Sequence, residues 1–191
     1  MVNQSGQATN VIDRHFPWLR SMIVDHDRSL FVADAAQHAM AEDLATAWDG
    51  ADDKISLLNQ FEARYGEDFV GMLDTLLGES TRRDWARTAA GRPTQDISDL
   101  IDLLWMPLRA QGFDFTIDER STSVQFHCTK CPVADLAKTL PGKDAPGWMY
   151  RMFCRGDYAI VEGFNPKMRF QRTKTLMLGD DECDHLYSME A

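Results

Sequence analysis

Residues 113–128 read FDFTIDERSTSVQFHC, and the period of their hydrophobicity decides the fold. Phe113, Phe115 and Ile117 alternate with polar residues, and Val124, Phe126 and Cys128 alternate again. Between them, DERS at 118–121 has turn chemistry. A repeat of two puts every second side chain on the same face of a strand, so this stretch predicts a β-hairpin with one wet face. Just upstream the period is different. Ile97, Leu100, Ile101, Leu104, Trp105 and Leu108 form an apolar stripe at helical spacing. GRP at 91–93 breaks the chain before that helix, Thr94 is its expected N-cap, and Asp96 and Asp99 suit its first turn. The chain therefore changes from helix to sheet near Gly112.

Working outward, the N-terminal side is helical. Ile12, Phe16, Leu19, Met22 and Ile23 recur at helical spacing, with Pro17 marking a bend or a fresh start. Further helices are expected over about 30–48, over 54–77 with a break near Tyr65 and Gly66, and over 81–90. Residues 1–10 read as a loose tail. On the other side, Cys131-Pro132 ends the hairpin and 133–140 is a short helix. Residues 148–154 give a further helical turn or two, and 158–164, 168–178 and 183–189 read as three more strands. The expected fold class is α+β, a helical N-terminal layer packed on a mostly antiparallel sheet of about five strands. One domain is expected over 11–191, with a helical part (11–111) and a sheet part (112–191) that carries all the cysteines.

The chain of 191 residues is 44% hydrophobic, enough for a core without disulfide or metal staples. With 30 acidic and 20 basic side chains its net charge is −10, which opposes nucleic acid and anionic membranes. No run approaches the roughly 20 apolar residues of a membrane span. The polar, uncharged start MVNQSGQATN reads as no signal peptide, so a cytoplasmic location is expected. A small-molecule substrate is the partner this leaves.

The four cysteines then belong to a reducing compartment, where thiol or metal roles outweigh structural disulfides. Cys128 lies in phase with Val124 and Phe126 and reads as a small buried hydrophobe. Cys131, followed by a proline suited to the first helical position, is a candidate N-cap. Backbone N–H groups there would stabilise its thiolate and make it a nucleophile or ligand. Cys154 has Asp157 three residues on. On a strand, Cys183, His185 and Tyr187 share one face and Asp184 and Leu186 the other, giving a thiol and an imidazole side by side. Cys128, Cys131, Cys154 and Cys183 together make a four-cysteine set for zinc or an iron–sulfur cluster, although a zinc ribbon would show a second C-x2-C.

The succession VQFHCTKCPVADLAK, FCRGDYAIVEGFNP and RTKTLMLGDDECDHLY resembles the L-2-amino-thiazoline-4-carboxylic acid hydrolase family over about residues 100–189. The resemblance implies that Cys131 with Pro132, Cys154, Asp157, Gly179, Asp180 and Cys183 occupy the family's motif positions, with Cys128 an addition. It also implies hydrolytic opening of a small ring containing sulfur and nitrogen, yielding a carbamoyl-cysteine. Such chemistry needs attack at the amidine carbon and proton transfer. Cys131 is the expected nucleophile, and Asp157 and His185 the expected proton carriers, with Cys154 and Cys183 in the same catalytic set. Arg155, Arg169 and Arg172 are candidates to receive a substrate carboxylate. Two other readings stand beside the hydrolase: a metal-binding or sensing protein built on the four cysteines, and a small-molecule-binding accessory domain. No cofactor is implied except in the metal reading.

Overall fold

A computed structural model of the protein describes residues 11–190. The expected tail at 1–10 lies outside them. The described chain forms two compact units, the first running to Ser80 and taking in Leu140–Trp148, the second comprising Thr81–Thr139 and the residues from Met149 onward.

The first unit is helical. Helices α1 (Val11–His15), α2 (Pro17–Val24) and α3 (Ala35–Trp48) are followed by α4 (Lys54–Tyr65) and the start of α5 (Glu67–Ala90), with a 3-10 turn at Arg28–Phe31. Pro17 opens α2, where its missing N–H has no helical partner to lose. Asp34 and Asp53 cap α3 and α4 by accepting backbone N–H groups of the first turn. The expected break at Gly66 is present, because that glycine has φ 63° and ends α4. Leu19, Ile23, Ala41, Leu44, Trp48, Leu58 and Phe69 are fully buried. Lys54 is buried among them, its ammonium held by Asp13 at 3.1 Å and by the carbonyl oxygens of Ala51 and Trp48. No separate helix begins at Thr81, since α5 continues to Ala90.

The second unit carries the sheet. After α5 come α6 (Ile97–Leu100), a π-helical turn at Ile101–Trp105 and α7 (Met106–Ala110). The cap of α6 is Asp96, which accepts from Asp99 N, while Thr94 bonds the Asp99 carboxylate instead. The hairpin forms as expected, β1 (Asp114–Glu119) antiparallel to β2 (Ser123–Lys130). Next come α8 (Pro132–Ala137), α9 (Ala145–Met149), which begins in the first unit, and a π-helical turn at Tyr150–Cys154. Then follow α10 (Gly156–Phe164), β3 (Met168–Gln171), a 3-10 turn at Leu176–Leu178, and β4 (Cys183–Met189). The sheet among the described residues has four strands in the order β1-β2-β4-β3, every neighbouring pair antiparallel.

The count of about five strands is thus one too high, and the error has a physical cause. Residues 158–164 are helical, with Val161 and Phe164 buried three positions apart. Their aromatic and β-branched composition suits a strand, but their apolar positions do not alternate. Gly163 lets α10 approach α5, because a Cβ there would lie 2.2 Å from the Arg82 carbonyl oxygen. The strand expected over 168–178 ends at Gln171. Beyond it, the N–H groups of Thr173 and Lys174 go to the Asp184 carboxylate and that of Thr175 to Asp180, so none joins a ladder.

Candidate functional site

One face of the sheet is apolar and aromatic. Phe115 (β1), Phe126 (β2), Tyr187 and His185 (β4) and Phe170 (β3) share it, as the register dictates. Trp105, from the first π-helical turn, covers this face. It stacks on Phe126 at 4.2 Å, meets His185 edge-on at 4.9 Å, and donates to the Tyr187 hydroxyl at 3.0 Å. The second π-helical turn supplies Tyr150, Cys154 and a carbonyl oxygen that accepts from Arg172 Nη2 at 2.9 Å. Both π-helical turns of the unit therefore deliver side chains to the same place, a placement typical of functional positions.

At the centre lie Asp157, Arg172 and His185. Asp157 Oδ2 is 2.5 Å from Arg172 Nη1 and 3.4 Å from His185 Nε2, and the two nitrogens are 3.5 Å apart. The Arg172 side chain is 3% exposed. Burial opposes its charge, but Asp157 beside it and the Tyr150 hydroxyl hold it firmly protonated, above the usual arginine range. His185 Nδ1 is buried and has no hydrogen-bond partner. An unpaired polar atom in such a position is costly and calls for a reason.

The thiols surround this centre. Cys128 and Cys183 face each other across β2 and β4. The Cys183 thiol donates to the Thr175 hydroxyl at 3.7 Å, and that hydroxyl lies 4.0 Å from Cys154 Sγ. Cys131 is the N-cap of α8, as expected, with Ala134 N donating to its sulfur at 3.4 Å. Its expected thiolate is not what the surroundings favour. Burial pushes the Cys131 thiol up, against the hydrogen bonds from Ala134 and Val133. Cys183 and Cys154 are also raised, chiefly by burial, and Cys128 is raised to about 12 for the same reason. All four are free thiols, and burial keeps them protonated at neutral pH.

The four-cysteine metal reading finds no support in this arrangement. Among the described residues no group of three or more His, Cys, Asp and Glu side chains is placed to hold a metal ion. The sulfurs have separate engagements instead: Cys128 donates to Lys130 O, while Cys131 and Cys183 accept from Ala134 N and Leu176 N. Protonated, separately bonded thiols do not fit a tetrathiolate site.

The five candidate residues Cys131, Cys154, Asp157, Cys183 and His185 thus lie in one neighbourhood. Gly179 and Asp180 shape the loop. Gly179 has φ 104°, which turns the chain after the 3-10 turn, and Asp180 caps Thr175 N at 2.6 Å. Of the three arginines, Arg169 pairs with Glu190 at the surface, and Arg172 joins Asp157 and His185. The reading from sequence missed Trp105 and Thr175. Trp105 looked like one more member of an apolar stripe, and Thr175 lay inside a supposed strand. An open groove of about 530 Å3, lined by Thr46, Gly50, Asp53 and Ser56 among others, belongs to the first unit and includes none of these residues.

The family model of L-2-amino-thiazoline-4-carboxylic acid hydrolase matches residues 34–187. No curated protein matches the chain. Among solved structures, a trafficking protein particle complex subunit 3 from Naegleria fowleri, covalently bound to palmitic acid, is similar. It is 12% identical, covers 82% of this chain and 93% of its own, and superposes with a TM-score of 0.38, a level that transfers neither fold nor role.

Proposed function

This chain belongs to the L-2-amino-thiazoline-4-carboxylic acid hydrolase family, and we propose that it is a hydrolase that opens a small sulfur- and nitrogen-containing ring at the Asp157–His185 pair. The observation that carries this reading is the buried, unpartnered Nδ1 of His185, whose other ring nitrogen lies 3.4 Å from Asp157 Oδ2. A histidine beside a carboxylate, with one ring nitrogen unclaimed, can act as a general base. On a 2-amino-thiazoline-4-carboxylate, water would lose a proton to the Asp157–His185 pair as its oxygen bonds to C2, and that proton passes to the ring nitrogen as its double bond to C2 becomes single. The C2–S bond then breaks as the carbonyl forms, and the departing sulfur takes the remaining hydroxyl proton. The product is a carbamoyl-cysteine, so one water is added and no oxidant or reductant is needed.

Water is preferred to Cys131 as the attacking group because burial keeps that thiol protonated. Cys131, Cys154 and Cys183 are then neutral thiols beside the reacting ring. The partner is a small-molecule substrate. Among the described residues no helix is long and apolar enough to cross a membrane.

The test is turnover of 2-amino-thiazoline-4-carboxylate by the purified chain and by its Asp157→Asn and Cys131→Ser variants. The expected result is a loss of about 10²-fold in Asp157→Asn, as for loss of general-base function, with Cys131→Ser retaining measurable activity. Full activity in Asp157→Asn would refute the reading. Complete loss in a folded Cys131→Ser protein would transfer the attack to the thiol.

A further inference from the structure

β3 stops at Gln171, one residue before Arg172. Its register pairs Phe170 with Tyr187 and Gln171 with Leu186, so the next position, Arg172, falls opposite His185, and Thr173 falls opposite Asp184. Alternation puts Arg172 on the inner face with Phe170, and Thr173 on the outer face with Asp184. A ladder continued through these residues would join their N–H groups to backbone carbonyls of β4. Instead the Asp184 carboxylate takes three donors. Oδ1 accepts from Thr173 N at 2.8 Å and from Lys174 N at 2.5 Å, and Oδ2 accepts from Thr173 Oγ1 at 2.5 Å. Burial opposes its charge, but these hydrogen bonds hold the Asp184 carboxyl below its ordinary value. The chain leaves the sheet there and returns with Thr175, whose hydroxyl lies beside Cys154 and Cys183.

We propose that Asp184 is a positioning residue of this site: by anchoring Thr173 and Lys174 it sets Arg172 against Asp157 and His185. The inference rests on the reading of the Asp157–His185 pair as the base. The Arg172 guanidinium meets several groups at once: Asp157 Oδ2 at 2.5 Å, His185 Nε2 at 3.5 Å, the Cys154 carbonyl oxygen at 2.9 Å and the Tyr150 ring at 5.5 Å from its centroid. A guanidinium is a rigid planar fork, so contacts in several directions fix where its backbone must stand. On the N-terminal side that backbone is held by the β3–β4 ladder, and on the C-terminal side by Asp184. Asp184 itself stands on the opposite face of β4 from Cys183 and His185, so its influence on the pair runs through Arg172. A misplacement of about 1 Å at a positioned group can cost about 10²-fold in rate, so release of this anchor should be felt at the pair.

The test compares Asp184→Ala with Asp184→Asn, whose side-chain oxygen can still accept from both N–H groups. The fold of each is checked by its melting temperature. Nitrogen–proton correlation NMR of the arginine side chains gives a readout independent of turnover, with Arg172 assigned by its loss in Arg172→Lys. In the wild type the buried, bonded guanidinium should give resolved, slowly exchanging signals. These should be lost in Asp184→Ala and kept in Asp184→Asn. With the thiazoline as substrate, kcat should fall about 10²-fold in Asp184→Ala with little change in KM, and should stay within about tenfold of the wild type in Asp184→Asn. If Asp184→Ala does not fold, Asp184→Ser, whose shorter hydroxyl does not reach these donors, takes its place with the same expectations. Unchanged Arg172 signals or an unchanged kcat in a folded Asp184→Ala protein, or an Asp184→Asn protein as impaired as Asp184→Ala, would overturn the proposal. Absence of turnover by the wild type with the expected NMR pattern would overturn the hydrolase reading alone.

Discussion

Iodoacetamide labelling of Cys128 tests the electrostatics of the thiol cluster. Only the thiolate reacts, so the rate follows the ionised fraction. An ordinary cysteine has the value 9.0, and burial raises Cys128 to about 12. At about pH 8 the first is about one-tenth ionised and the second about one part in ten thousand, a ratio of roughly 10³. At 2% exposure, restricted access slows the reaction further. Native protein should therefore label at Cys128 at least about 10³-fold more slowly than protein unfolded in urea, read by mass spectrometry of quenched time points. Labelling within about tenfold of the unfolded rate would refute the claim that burial governs these thiols. The same shift makes stability fall in alkali. Below pH 9 both states keep the thiol proton and nothing changes. Between 9 and about 12 the unfolded chain loses a proton that the native chain retains, so stability falls as pH rises across that window.

Three further substitutions probe the frame. Gly163→Ala places a Cβ 2.2 Å from the Arg82 carbonyl oxygen and should cost about 1–3 kcal/mol in a denaturant titration, by forcing α10 away from α5. Lys54→Ala removes a buried ammonium bonded to Asp13 and to the carbonyl oxygens of Trp48 and Ala51, and should cost about 1–3 kcal/mol, whereas an exposed lysine such as Lys138 should be nearly neutral. Asp184→Ala removes the acceptor of Thr173 N, Thr173 Oγ1 and Lys174 N, so amide exchange should speed up across the loop that carries Arg172 and Thr175.

The hairpin at 114–130 was legible because alternation is a local property, and it survived burial of one face. The N-cap at Cys131 was legible from Pro132 for the same reason. The pairing of Cys183 and His185 on one face followed once β4 was read as a strand. What was not legible depends on contacts distant in sequence. The helix at 156–164 is favoured by packing of Val161 and Phe164 and by the close approach at Gly163, which composition does not reveal. The protonated state of Cys131 is equally non-local. Its cap bonds were predictable, but the burial that outweighs them comes from the fold around it. Arg172 could be named only as one of three arginines, because its choice of Asp157 depends on where β3 ends.

The most direct test of the account is hydrolysis of 2-amino-thiazoline-4-carboxylate by wild-type protein beside His185→Gln, with the melting temperature of each recorded. The account predicts carbamoyl-cysteine from the wild type, and a loss of about 10²-fold or more in a His185→Gln protein that still folds. Undiminished turnover in His185→Gln, or no turnover of this ring by the wild type, would contradict it.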